Sequence, residues 1–299
     1  MKAPDRHFLS ASQGSLAPDA RHRRLAEGNR RRLLPAFPGG QWQSELDDEF
    51  ALRLEEGRLV EEERRAVAEQ VLRVPHEPDA FMHWFEALKE TGPGQGDPLF
   101  PWLATEANLE QMRWFLTQEV AGEAGFDDLV ALTQLRMPPQ PKLELARNYW
   151  DEMGRGKRGG MHGPMLEMAV HELALQPSIE ATVWESLALG NVMLALGANR
   201  RYAYHSVGAL GVIELTAPGR VSQINVGLER LGVSPQGRRY FQLHAGLDVV
   251  HSRDWNREVI RPLVETEPRC ARAIAEGALM RLRCGARCFG RYRAEFGLA

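Results

Sequence analysis

The segment Tyr240–Trp255, YFQLHAGLDVVHSRDW, holds His244, Asp248 and His251 in an H-x3-D-x2-H spacing. At about 100° per residue on an α-helix, Asp248 falls about 40° to one side of His244 and His251 about 20° to the other. All three side chains then leave one narrow stripe over two turns. Two imidazoles and a carboxylate on one stripe form a mixed nitrogen and oxygen ligand set, which suits Fe, Mn or Zn. Phe241, Leu243, Leu247, Val249 and Val250 are apolar enough to bury much of this helix. A buried polar stripe needs partners, which a metal ion or hydrogen bonds across helices would supply.

Other residues could join it. Glu152 and His162 are separated by nine residues in DEMGRGKRGGMH. A helix end, a Gly-rich turn and a helix start can fold both side chains back to one point; otherwise they are an exposed acidic helix end and a histidine near a helix start. Asp151 is the neighbour most easily confused with Glu152, and His171 is an alternative to His162. Glu119 sits among Trp114, Phe115, Leu116 and Val120, with Glu123 one turn on and on the same face. Either carboxylate can enter the core or stay solvated. Glu214, in GALGVIELTAPG, has very apolar company and is costly to bury unless it is paired, protonated or metal-bound.

The elements that must position these residues read as helices. From about residue 43, long helix-forming segments alternate with short Gly/Pro signals, and Pro177, Pro218, Pro235 and Pro268 fall at the joints. No alternating apolar run is bounded by a tight turn, so strands are not expected. An all-α, antiparallel, bundle-like domain is predicted for residues 43–299, with its metal-binding core at about 100–265. Residues 1–42 read as a flexible basic arm, because six arginines crowd into Arg21–Arg32 before Pro/Gly punctuation. Such an arm is either solvated or touches an acidic partner.

Composition narrows the function classes. With 37 basic against 40 acidic residues, the net charge of -3 argues against a dedicated nucleic-acid binder. No apolar run approaches the roughly 20 residues of a membrane span, and MKAPDRHFLSAS lacks a secretory h-region. Three cysteines, Cys270, Cys284 and Cys288, cannot build a disulfide framework. A cytoplasmic protein without nucleic-acid or membrane partners is the expectation.

Taken together, a helix carboxylate, E-x9-H across a Gly-containing turn, and H-x3-D-x2-H on a late helix resemble the haem-oxygenase-like diiron oxidases, also labelled iron-containing redox enzymes. The resemblance spans roughly residues 105–265. It implies a haem-oxygenase-like bundle of about seven core helices without bound haem, here with an N-terminal extension. It further implies that Glu119, Glu152, His162, His244, Asp248 and His251 ligate two irons, with O2 as co-substrate. Glu123 is the alternate to Glu119, while Glu214 and His205 are additional ligands or supporting groups. The implied activity is O2-dependent oxidation of a small amino-acid-like or fatty-acid-like substrate at C–H, C–C or N. An external electron donor and a homodimer are the accompanying partners. Arg147, Arg200, Arg201 and Tyr204 are candidates to bind a substrate carboxylate. Two alternatives stand beside this: a metal-free haem-oxygenase- or thiaminase-like protein, and a non-enzymatic helical interaction protein.

Overall fold

The computed structural model describes residues 17–122 and 125–298. Among them every regular element is helical. The first helices are α1 (Pro18–Leu33), α2 (Trp42–Val71), α3 (Pro78–Thr91), α4 (Leu99–Thr105), α5 (Leu109–Gly122) and α6 (Phe126–Thr133). There follow α7 (Pro139–Glu152), α8 (His162–Glu172), α9 (Trp184–Ala198), α10 (Ala203–Arg230), α11 (Arg239–Trp255), α12 (Arg261–Thr266) and α13 (Arg269–Phe296). One π-helical turn, Asn256–Ile260, joins α11 to α12 without a break. No described helix is long and apolar enough to cross a membrane.

Local chemistry explains the boundaries. Pro78 opens α3, and the Glu77 side chain caps it by accepting from the backbone N–H groups of Asp79 and Ala80. Gly297 ends α13 in the left-handed conformation. Pro218, expected at a joint, instead lies inside α10. Its ring cannot donate to the carbonyl of Glu214 four residues earlier. Burial of α10 on both sides of Pro218 outweighs that loss.

Helix α9 is buried nearly all round, as its SLALGNVMLAL composition requires. The crossing of α10 and α13 is unusually close. A Cβ at Gly208 or at Gly277 would stand 1.9 Å from a carbonyl oxygen of the facing helix, so only glycine fits at either position.

The arm expected over residues 1–42 is corrected for its second half. Residues 1–16 lie outside the described residues, but residues 18–33 form α1, which docks on α2 and α9. Leu25 is buried, and Asn29 donates to the Asn191 side chain at 2.9 Å. Several of the arginines that read as solvated are paired. Arg21 meets Glu55 at 2.6 Å, and Arg32 pairs with the buried Glu56. Counter-ions 24 or more residues away are invisible to a local pattern.

Candidate metal centre

Two glycines bring α7 and α8 together. Gly154 has φ +60°, and a Cβ there would stand 2.3 Å from the carbonyl carbon of Gly160. The chain between them makes two short 3-10 turns, Gly154–Gly156 and Arg158–Gly160. This tight return places Glu152, the last residue of α7, against His162, the first of α8, with Glu152 Oε2 2.6 Å from His162 Nδ1. The His244 ring from α11 meets the His162 ring edge-on at 4.6 Å. Glu152, His162 and His244 thus form one group whose ligand atoms lie within 4.8 Å of one another.

A second group forms beside it from Glu214 of α10 and Asp248 and His251 of α11, under the same distance limit. His244 and Asp248 are one turn apart, so α11 serves both groups. All six side chains are buried, at 2–8% exposure.

Neighbouring groups fix how these side chains point. His244 Nδ1 donates to the Tyr240 carbonyl at 2.8 Å, which leaves Nε2 with a free lone pair. His251 Nε2 lies 3.3 Å from Asp151 Oδ2, and Nδ1 lies 3.6 Å from Glu214. Asp151 also accepts from Arg155 at 2.5 Å, tying the α7–α8 turn to α11. Asn148 donates to Glu214 Oε1 at 2.7 Å. Burial pushes His244 down to about 4, against the pull of Glu152, so it is neutral at neutral pH. Burial would lower His251 as well, but Glu214, Asp151 and Asp248 outweigh it and raise it to about 9.

The donor set fits a pair of iron ions. His162 Nδ1 and His251 Nδ1 are buried without a hydrogen-bond partner, although each faces a carboxylate. Histidine nitrogens and carboxylates that converge without good hydrogen-bond geometry are a donor set that a shared cation would satisfy. No lysine or arginine pairs with Glu152 or Glu214 among the described residues. Three carboxylates would offset three of the four charges of a ferrous pair.

The profile of the iron-containing redox enzyme family matches residues 113–286. This chain belongs to that family. The matched stretch is more than half of the chain and contains both groups. Membership makes the all-α bundle a haem-oxygenase-like fold and places the protein among oxidoreductases. No curated protein matches the chain.

Several residues singled out in the sequence lie elsewhere in this family member. Glu119 belongs to neither group; its Oε1 accepts from the Tyr292 hydroxyl at 2.8 Å. Glu214 takes the place in the clusters that had been expected of Glu119. Glu123 lies outside the described residues. His205 pairs with Glu276 at 2.9 Å, and His171 is exposed. Arg147 pairs with Glu144, while Arg200 donates to the carbonyls of Leu132 and Thr133 at 3.1 Å. Arg201 lies 3.9 Å from Glu61, and Tyr204 is half-exposed. None of these four lines the cavity at the metal groups. Asp151 and Asn148 were missed as orienting groups. Their signal was position: three residues before Asp151 and four before Glu152 on a helix, Asn148 shares their side of α7.

A cavity of about 120 Å3 adjoins the centre. Glu152, Glu214, His244 and Asp248 open onto it, and Leu129, Leu189, Met193 and Ile213 give it aliphatic walls.

Proposed function

We propose that the protein is a non-haem diiron oxidase that uses O2 to oxidise a small organic substrate in this cavity. The carrying observation is the pair of neighbouring His/carboxylate groups, buried, without arginine or lysine partners at Glu152 and Glu214 among the described residues, and open to one cavity. Glu152, His162 and His244 would hold one iron, and Glu214, Asp248 and His251 the other. Bound iron would supply the one-electron chemistry that lets O2 react with an organic molecule.

The chain's own residues do the rest. Asp151 holds the His251 Nε2 proton, so that Nδ1 faces Glu214. The Tyr240 carbonyl does the same for His244 through Nδ1. Asn148 keeps one Glu214 oxygen fixed. The aliphatic walls keep bulk water from the substrate and favour an apolar body.

The metal-free alternatives fit less well. A thiaminase-like reaction wants a thiolate in the pocket. Cys270, Cys284 and Cys288 are buried, none lines the cavity, and burial pushes Cys284 up to about 11. A haem needs far more room than about 120 Å3, which is below even the ~300–1,000 Å3 of ordinary ligand pockets.

Anaerobic titration with Fe(II), followed by metal analysis and O2 uptake, tests the proposal. About two irons per chain and O2 consumption are expected, with both reduced in His244→Ala. Tight binding of no iron, or iron that does not react with O2 even when candidate substrates are present, would refute it.

A further inference from the structure

The hairpin of α1 and α2 lies outside the stretch that the family profile matches, and it carries an uncovered apolar surface. Leu33, Leu34, Phe37, Trp42, Leu46 and Phe50 are each more than half exposed, and Phe37 reaches 99%. Trp42, Leu46 and Phe50 recur at every fourth position, so they form a continuous stripe along one side of α2. Residues 42–48 are exposed at every position, although they are helical. A helix draws most of its stability from packing an apolar face, and here that face has nothing against it within the described residues. Clustered exposure of this kind, unlike single exposed side chains, marks an interaction site.

A groove of about 600 Å3 runs between the second half of α1 and the first half of α2, apolar at Leu25, Leu34, Phe37 and Leu52. Its α1 wall carries Arg24 and Arg31, and its α2 wall carries Glu45 and Asp48. These four are exposed and form no ion pair among the described residues, whereas Arg21 and Arg32 beside them are paired with Glu55 and Glu56. The two helices are antiparallel: Gly28 meets Leu52, and Arg21, nearer the start of α1, meets Glu62.

We infer that this face docks on the same face of a second copy of the chain, in a two-fold dimer whose axis runs along the groove. Rotation about that axis lays α1 of each copy over α2 of the other, so that four helices pack with antiparallel neighbours. The basic wall of each copy then meets the acidic wall of the other, and the apolar side chains are buried between them. An axis across the groove would set like charge over like, so the charges select the orientation. An isologous contact needs one self-complementary patch, and a basic and an acidic wall flanking an apolar groove provide it. An anionic lipid surface is a poor match, because Glu45, Asp47, Asp48 and Glu49 flank the stripe on α2.

Sedimentation equilibrium of the full-length chain across the micromolar range tests the inference. A reversible dimer of twice the 33.6 kDa chain mass is expected. Phe50→Glu should weaken it about 30-fold or more, as for a central apolar anchor. Two double variants test the orientation: Arg24→Glu with Arg31→Glu makes both walls acidic, and Glu45→Arg with Asp48→Arg makes both basic. Each alone should be monomeric, with helical circular dichroism unchanged. Mixed in equal amounts, they should form a dimer of one chain of each, at least about tenfold tighter than either forms with itself. Loss of folding cannot imitate that recovery. A chain that stays monomeric, whatever else then covers the face, a dimer unaffected by Phe50→Glu, or a mixture that pairs no better than its components would each overturn the inference.

Discussion

His205 and Glu276 are buried side by side between α10 and α13; His251 and Glu214 are buried side by side between α10 and α11. Residue types alone do not separate these two places. What separates them is charge compensation. Glu276 receives Arg64 at 2.7 Å and Arg272 at 3.1 Å besides His205, and these partners pull its carboxyl down to about 2 against the cost of burial. Around Glu214 the polar partners are Asn148 and His251, with Asp248 adding more negative charge. The first place is a closed structural knot. Among the described residues the second has no arginine or lysine at Glu214, and the surrounding carboxylates raise its histidine to about 9 against the cost of burial. A buried histidine beside a carboxylate therefore points to a metal only where arginine and lysine are missing.

The sharpest way to break this comparison is Glu214→Ala. Bound iron should fall from about two to about one per chain, and O2 uptake should drop to background, while Glu119→Ala retains both irons; metal analysis decides. Next comes Glu276→Ala, which should leave the iron count unchanged and cost about 3 kcal/mol in denaturant unfolding. That lies at the low end for a broken buried pair, because Arg64 and Arg272 reach water. Iron loss in this variant would erase the distinction between the two places.

Acid should affect the knot in a defined window. The folded carboxyl of Glu276 lies below its ordinary 4.5, so its stabilisation is fully present above 4.5 and is lost as pH falls towards about 2. In iron-free protein, the stability gap between wild type and Glu276→Ala should shrink by about 2 kcal/mol across that window. A gap that is constant with pH would show that His205 and the arginines do not favour the charged form. The smallest effect is expected of Asp151→Asn. Its contact with His251 is long and partly solvated, so iron affinity should weaken about tenfold, at the low end for an orienting partner.

Much of the centre was legible from the sequence because helical periodicity is local. The H-x3-D-x2-H stripe lies on α11 with all three residues buried, and E-x9-H meets across the Gly154 turn. What periodicity could not show is that the stripe divides, with His244 joining one group and Asp248 and His251 the other. Glu214 was flagged by the cost of burying it in apolar company, yet choosing it over Glu119 required knowing that Tyr292, 173 residues away, occupies Glu119. The helical class was likewise plain from composition and spacing. The docking of α1 was not, since it depends on pairing with α2 and on Asn191 of α9.

The π-helical turn at Asn256–Ile260 has a mechanical consequence for the whole rod from Arg239 to Thr266. A wider turn slips the phase of everything after it relative to everything before it. Upstream, the azimuth of the rod is dictated by His244, Asp248 and His251; downstream, by Leu263 and Val264, which must face the core. A strict α-helix would force both to obey a single angular register. The slipped turn acts as a gear between them, so that drift in core packing on one side need not rotate the chemistry on the other.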